Sequence, residues 1–360
     1  TQIPDTLQAQ SAALNNGRFT ISPESIDQFN LINQWQLNGI GAAVHFTPDT
    51  QMLLASYAGE SESNILFYAI NGYEIEPAAF NLNMPQSDFS RNWNALQFIN
   101  NGDNLAASYS DGFFVWDLKT GDLTGRVLQG YTSGIAAYGN SHLWSYSHEA
   151  RLAAWWKVNT KLPEPTTSDE GADNWELDPL ISQLIMALRL HEAIVDMAIL
   201  QDQIYLLGSS GLFYRFEDVF AEPEALPQTV QPERPEPIGG SSLITIPANT
   251  QWVAYAGSYR DVVLYDIEHN NQIARYALDT PIGCLKASPD GRILLIVERS
   301  FEPNIIVLDA ASVLYTGSLQ EIARIPTDIP IGFCNLSPDG TLFATSDIEG
   351  NISLWGIQDQ

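Results

Sequence analysis

The sequence predicts an all-β fold, a seven-bladed β-propeller with four-stranded antiparallel blades. A turn motif, Ser-Pro-Asp-Gly, occurs at 288–291 and 337–340, with a weaker copy at 47–49 and a degenerate copy at 98–103. Proline presets φ and Asp-Gly favours a turn, so each motif is expected to close a β-hairpin. Seven units recur, marked by bulky residues spaced 40 to 60 positions apart: Tyr68, Trp116, Trp156, Phe216, Tyr265, Leu308 and Trp355. Antiparallel units of this length are typical of a propeller, where stacking around an axis buries both faces of every blade.

Two short segments rich in Val, Ile, Leu and aromatic residues follow each turn, as in strands buried on both faces. Where the turns are clearest, the second strands of the blades are predicted at 52–56, 104–108, 293–297 and 342–345. The third strands are predicted at 65–70, 113–118, 152–158, 212–217, 262–267, 305–309 and 352–357.

The last unit lacks a fourth strand, because only three residues follow Ile357. The free segment 31–37 has a suitable length, so we expect this N-terminal strand to close the last blade. The chain then divides into an N-terminal arm, residues 1–30, and a single propeller, residues 31–360.

Two insertions interrupt the repeat. Residues 159–183 combine prolines with acidic residues, and residues 218–240 are proline-rich. We expect both mainly on the face that carries the Ser-Pro-Asp-Gly turns. The proline-rich stretch fits a stiff surface connector or, alternatively, a docking segment for a partner.

The composition is strongly acidic, with 16 Lys and Arg against 43 Asp and Glu, a net charge of −27. Phosphate binding needs clustered Lys and Arg, so nucleic acid is excluded as a default partner. No apolar run of 18 or more residues is present, which predicts no membrane insertion. The acidity and the start at Thr1 favour an exported chain without its leader. A secreted or cell-surface location is therefore expected, with a cytoplasmic one left open.

The two cysteines precede the prolines of their turns by different distances. Cys284 lies five residues and Cys334 four residues before its proline, so their side chains have opposite parity along their strands. Opposite parity makes them face each other or point apart, depending on how the sheets stack. The sequence favours two buried free thiols over a disulfide.

Spacings typical of catalysis or metal binding are absent from the sequence. The five histidines do not pair at i, i+4, and neither HExxH, GxSxG nor a phosphate-binding glycine loop occurs. We therefore expect no catalytic residues, no metal and no cofactor. One alternative is a propeller hydrolase or lyase with acidic residues in the central channel, and another is a carbohydrate-binding module.

Candidate binding residues lie in loops between second and third strands, where blades one, six and seven offer an acidic arc. The arc consists of Glu60, Glu62, Glu298, Glu302, Asp347 and Glu349. A solvated rim explains the same residues without a ligand. Trp93 and Trp175 fall outside the blade repeat and are the candidates for an exposed sugar-binding surface.

The dipeptide Trp116-Asp117 matches the signature of WD-repeat β-propellers, and Trp355-Gly356 and Tyr265-Asp266 match it by half. Residues 31 to 358 resemble this family, and the Ser-Pro-Asp-Gly turns resemble those of its bacterial members. The stretch 21–25 resembles the lead-in of its secreted bacterial members. No blade carries the family's full Asp–His–Ser/Thr–Trp hydrogen-bond set. The resemblance implies the fold. The missing catalytic motifs, the complete ring and the two insertions lead to a functional hypothesis. It is a non-enzymatic protein-interaction scaffold or accessory subunit of an extracellular or cell-surface assembly, with protein partners.

Overall fold

The strands of the chain form seven four-stranded antiparallel sheets, one for each predicted unit. The computed structural model describes residues 18–58, 63–83, 93–109, 112–128, 132–138, 140–161, 182–200, 203–210, 212–216, 224–226, 243–247, 250–256, 260–327, 331–347 and 349–358. The predicted seven-bladed propeller is confirmed.

Strands are numbered in chain order, and in blades one to six the first strand lies innermost. Strand β1 (Phe29–Gln36) precedes blade one. Blade one has β2 (Ile40–Phe46), β3 (Met52–Ala58), β4 (Ser63–Asn71) and β5 (Glu74–Asn83). Blade two has β6 (Trp93–Ile99), β7 (Asn104–Tyr109), β8 (Gly112–Asp117) and β9 (Leu123–Leu128). Blade three has β10 (Gly134–Tyr138), β11 (His142–Ser147), β12 (Leu152–Lys157) and β13 (Gln183–Arg189).

Blade four has β14 (Ile194–Leu200), β15 (Gln203–Gly208), β16 (Phe213–Phe216) and β17 (Glu224–Leu226). Blade five has β18 (Ile244–Thr245), β19 (Trp252–Ala256), β20 (Asp261–Asp266) and β21 (Asn271–Ala277). Blade six has β22 (Ile282–Ala287), β23 (Ile293–Glu298), β24 (Asn304–Asp309) and β25 (Gln320–Pro326). Blade seven has β26 (Ile331–Leu336), β27 (Leu342–Asp347) and β28 (Asn351–Ile357), and its fourth strand is β1.

Helix is scarce in the described residues. Two 3-10 turns span Ile26–Gln28 and Asn100–Gly102, and one short α-helix spans Val313–Thr316. None of these helices is long and apolar enough to cross a membrane.

The hydrophobic pattern follows each strand's place in its blade. Second strands such as β7, β23 and β27 are buried at every residue, because neighbouring blades cover both faces. The outer strands β13 and β25 alternate between exposed and partly buried residues, because one of their faces meets solvent. The continuous apolar runs in the sequence therefore mark the strands inside each blade.

The repeated turn is held by its serine. The Ser288 hydroxyl donates to Asp290 Oδ1 at 2.6 Å and accepts from the Ile293 N–H at 3.0 Å. Gly291 follows at a φ of 72°, in the left-handed region that glycine adopts without steric cost. The Ser337 turn repeats the hydroxyl-to-carboxylate bond at 2.6 Å. The motif thus closes the hairpin between first and second strands, as predicted.

Ring closure follows the prediction as well. The inner strands contact each other in sequence from β2 to β26, and β26 contacts β2. Strand β1 pairs antiparallel with β28, with Phe29 opposite Ile357 and Gln36 opposite Asn351. The first strand of the chain therefore completes the last blade.

The expectation of two free thiols is wrong, because Cys284 and Cys334 form a disulfide. Cys284 lies on β22 and Cys334 on β26, the inner strands of adjacent blades. Stacked blades meet through opposite faces of their sheets. Opposite parity therefore directs the two side chains toward each other across the blade six–seven interface.

The described end of the N-terminal arm packs onto the same interface. Ile21, Ile26 and Phe29 are buried in one apolar cluster with both cysteines. The Ile21 N–H donates to the Gly340 carbonyl at 2.9 Å, which fixes the arm to the turn of blade seven. Residues 18–29, called the strap below, end at the first residue of β1 and thus cover the seam next to the closing blade.

The two insertions lie largely outside the described residues. Within 159–183 the structure describes 159–161 and the start of β13, and within 218–240 it describes β17. The expected position of both insertions on one face stays a prediction.

Candidate interaction face

Loops between second and third strands gather on one side of the ring, called the upper face here. The turns between first and second strands lie on the opposite, lower face. The described upper-face loops of blades six and seven contain four of the predicted acidic residues: Glu298, Glu302, Asp347 and Glu349. Glu60, Glu62, Trp175 and the side chain of Trp93 lie outside the described residues, although Trp93 itself begins β6.

Glu298 is a buried carboxylate with a full set of partners. Its side chain is 4% exposed. One carboxylate oxygen accepts from Thr280 Oγ1 at 2.8 Å and Arg324 Nη1 at 3.0 Å, and the other accepts from Asn304 Nδ2 at 2.6 Å. Burial raises the pKa of Glu298, but these hydrogen bonds outweigh burial, so its pKa lies below the ordinary value. Glu298 therefore holds the base of its loop.

Asp347 organises the corresponding turn of blade seven. Its side chain is 2% exposed. Its Oδ1 accepts the N–H groups of Glu349 and Asn351, both at 2.8 Å, and its Oδ2 accepts from Asn351 Nδ2 at 2.6 Å. A side chain that caps its own turn in this way is unavailable to a ligand without breaking the turn.

Glu302 and Glu349 are exposed. The predicted arc thus separates, among its described members, into two buried carboxylates that hold loops and two that reach solvent. The predicted binding role of these residues stays a prediction.

The most exposed side chain of the blade-six loop is Phe301. It is 95% exposed and lies next to Glu302, with exposed Arg299 two residues before it. The sequence predicts binding residues in this loop from its charges alone, and Phe301 is not among them. The available signal was a large apolar residue within an otherwise charged loop.

Both ends of this loop are fixed to the body of blade six. The Arg299 N–H donates to the Pro281 carbonyl at 2.7 Å. The Pro303 carbonyl accepts from the Thr327 N–H at 2.9 Å and from its hydroxyl at 3.0 Å. The loop tip is therefore presented from a rigid base, which lowers the entropy lost when a partner binds.

The lower face carries an exposed apolar pair. Leu314 and Tyr315 on the short helix Val313–Thr316 are 78% and 92% exposed. This pair lies on the side of the ring opposite Phe301. None of the charged residues predicted to bind a partner lies in its loop.

The hydrolase or lyase alternative requires acidic residues in the central channel, and the carbohydrate alternative requires Trp93 or Trp175 on an exposed surface. Asp196 is the described acidic residue on β14, an inner strand, and it accepts the Ile244 and Met197 N–H groups, each at 2.8 Å. Each carboxylate oxygen of Asp196 therefore accepts a hydrogen bond from a backbone N–H group. Neither alternative gains a specific observation from the described residues, and both stay predictions.

No family model and no curated protein matches the chain. A chain in the crystal structure of the mitotic checkpoint complex superposes with a TM-score of 0.67 at 12% identity. The match covers 92% of this chain and 95% of that chain. The structure of U3-55K superposes with a TM-score of 0.68 at 11% identity and covers 92% and 98%. At such identities the likeness concerns fold alone. The chain is a seven-bladed β-propeller similar in fold to WD-repeat proteins of known structure.

Proposed function

We propose that the protein is a non-enzymatic protein-interaction module that docks a protein partner on its upper face through the blade-six loop. The observation that carries the proposal is Phe301, an aromatic side chain 95% exposed at the tip of a loop fixed at both ends. Aromatic residues dominate binding energy at protein interfaces, and loops on rigid scaffolds present them.

Charges around Phe301 give the proposed interface a polar rim. Arg299 and Glu302 flank the ring, and Glu349 is exposed in the next blade. A rim of this kind affects association rate and salt dependence more than the final affinity. The partner would then present an apolar pocket for Phe301 bordered by groups of both signs.

We further propose that the protein works outside the cytoplasm, as part of a larger extracellular or cell-surface assembly. The buried disulfide between Cys284 and Cys334 supports this location, because structural disulfides persist in oxidising compartments. The net charge of −27 is consistent with it. The test is acid quenching of cells, followed by thiol alkylation under denaturing conditions without reductant. Two alkylated cysteines in the protein so treated would contradict the proposed location.

Co-purification from the native source at low and high salt tests the docking role. Phe301→Ala is expected to reduce recovery of a stoichiometric partner at least tenfold, because truncation of an interface anchor commonly costs about 2 kcal/mol or more. Tyr315→Ala is the matched control, an equally exposed aromatic residue on the lower face. Equal recovery with both variants, or a monomer without a partner, would contradict the proposal.

A further inference from the structure

One level of the central channel is defined by the strand register. In each blade, the bulky residue that marks the repeat pairs with a residue of the second strand. The next residue of the second strand pairs with a residue of the inner strand. In blade one, Tyr68 pairs with Leu53, and Leu54 pairs with His45. Applied to all blades, this register selects one inner-strand residue per blade, here called the channel ring. It comprises His45, Gln97, Ala136, Ala198, Thr245, Lys286 and Asn335.

The residues of the channel ring are accessible to solvent. All seven ring residues are partly exposed, whereas the residue just before each of them is buried. The faces of these inner strands are covered by neighbouring blades, so the access comes from the axis. The ring is polar over five consecutive blades, from Thr245 in blade five through Lys286 and Asn335 to His45 and Gln97, and the remaining two positions are alanines.

The register and its partial exposure place Lys286 at the axis. Burial is the main cause of the low pKa of His45 in blade one, and the Lys286 ammonium lowers that pKa further; burial also lowers the pKa of Lys286, against the opposing effect of Asp196 in blade four. Each partner is two blades away, in opposite directions around the ring. One cationic side chain therefore faces the channel of a protein with a net charge of −27.

The hydrogen bonds of the ring residues divide it into a donor side and an acceptor side. The Thr245 hydroxyl accepts from the Ala287 N–H at 3.0 Å and keeps its own proton for donation. His45 Nδ1 lies 2.8 Å from the Phe46 carbonyl, so Nδ1 carries the hydrogen and Nε2 is an acceptor. Burial is the main reason that the pKa of His45 falls to about 4, which keeps the ring neutral.

Gln97 completes the acceptor side. Its Nε2 donates to the Phe98 carbonyl at 3.2 Å, which leaves Oε1 as the acceptor. Donors thus come from blades five and six, where the Thr245 hydroxyl and the Lys286 ammonium lie in adjacent blades, and acceptors come from blades one and two. A carboxylate suits the first group, and a hydroxyl suits the second.

We propose that the channel ring binds a small hydroxycarboxylate, with its carboxylate at Lys286 and its hydroxyl at His45 and Gln97. The two alanines, Ala136 and Ala198, leave room on the remaining side of the axis. This site is separate from the upper-face loop, and it goes beyond the proposed docking function.

Saturation-transfer NMR of the full chain with glycolate, lactate and malate tests the site. We expect binding of at least one of the three, and binding at least tenfold weaker to the Lys286→Met variant. Lys157→Met is the matched control, because Lys157 is an exposed lysine on a third strand, and it should bind as the wild type does. No binding of any of the three acids to the wild-type protein would overturn the proposal, as would equal binding to Lys286→Met.

A comparison that needs no variant covers the case in which Lys286→Met does not fold. Propionate has the carbon skeleton of lactate without its hydroxyl. Propionate should bind the wild-type protein at least tenfold more weakly than lactate, because His45 and Gln97 would lose their partner. Equal binding of the two acids would overturn the assignment of the acceptor side. The Phe301→Ala variant should bind lactate as the wild type does, so failure of this site and failure of the docking role are distinguishable.

Discussion

Cys284 and Cys334 join the inner strands of blades six and seven through a disulfide that spans 50 residues of sequence. The bond lies beneath the strap, where Ile21 and Phe29 belong to the same apolar cluster. The seam beside the closing blade is therefore held by a covalent bond, by apolar packing and by the chain's N-terminal segment.

Removal of the disulfide should lower the free energy of unfolding. For a closed loop of this length, the chain-entropy relation gives about 4 kcal/mol. The measurement is urea unfolding of the wild-type protein and of the double variant Cys284→Ala, Cys334→Ala. Added reductant should destabilise the wild type and leave the double variant unchanged. Two thiols titrating in denatured, unreduced wild-type protein would refute the bond.

The strap should contribute to stability through its buried phenyl group. Phe29 is 3% exposed, whereas Phe19 is 44% exposed in the same segment. Phe29→Ala should cost about 3–5 kcal/mol in thermal or urea unfolding, because it removes a large buried side chain and leaves a cavity. Phe19→Ala should cost about 1 kcal/mol or less. Similar losses for the two variants would show that the strap is not packed as described.

The two glutamates at the ends of the blade-six loop should respond differently to the same substitution. Glu298→Gln removes a buried charge that accepts bonds from Arg324, Thr280 and Asn304, and should cost about 1–3 kcal/mol of unfolding free energy. Glu302→Gln should change stability by about 0.5 kcal/mol or less, since Glu302 is exposed. Stability assays of both proteins at pH 7 make the comparison, and a larger loss at Glu302 would contradict the assignment.

The histidine of the channel ring makes stability depend on pH. Burial lowers the pKa of His45 from 6.5 to about 4 in the folded chain. The unfolded chain therefore binds a proton first as pH falls, and the stabilising effect of neutral His45 is lost between these two values. Burial also raises the pKa of Asp196, to about 6, which has the opposite sign but is common to wild type and variant.

The difference in unfolding free energy between wild type and His45→Gln isolates the histidine. Between pH 7.5 and pH 5 this difference should shift against the wild type by about 2 kcal/mol, at about 1.4 kcal/mol per pH unit below 6.5. Urea unfolding at both pH values measures it. A difference that does not change with pH would mean that His45 titrates normally and is not enclosed.

The fold was predictable because each of its local sequence features has a single structural explanation. Ser288 and its equivalents set the hairpins, and apolar runs such as 293–297 are explained only by strands covered on both faces. The pairing of β1 with β28 followed from counting strands in the last unit. The disulfide was not predictable in the same way. The opposite parity of Cys284 and Cys334 brings their side chains together only for one way of stacking the two sheets, and the sequence does not specify the stacking.

The candidate sites show the same limit. Their charge and loop position predicted Glu298 and Asp347 as binding residues, yet both are buried and accept hydrogen bonds from neighbouring donors. No sequence pattern distinguishes such a buried carboxylate from an exposed one. The channel ring did leave a signal, since His45, Lys286 and Asn335 each lie three residues before the proline of a turn. That signal becomes interpretable only when the register brings the three positions to one level around the axis.

The most direct test of the docking role is photo-crosslinking from the tip of the blade-six loop in the native source. A benzophenone amino acid in place of Phe301 should form a covalent adduct with one protein, while the same residue in place of Tyr315 on the lower face should not. Adducts at both positions in equal amounts, or none at Phe301, would contradict an upper-face interaction module.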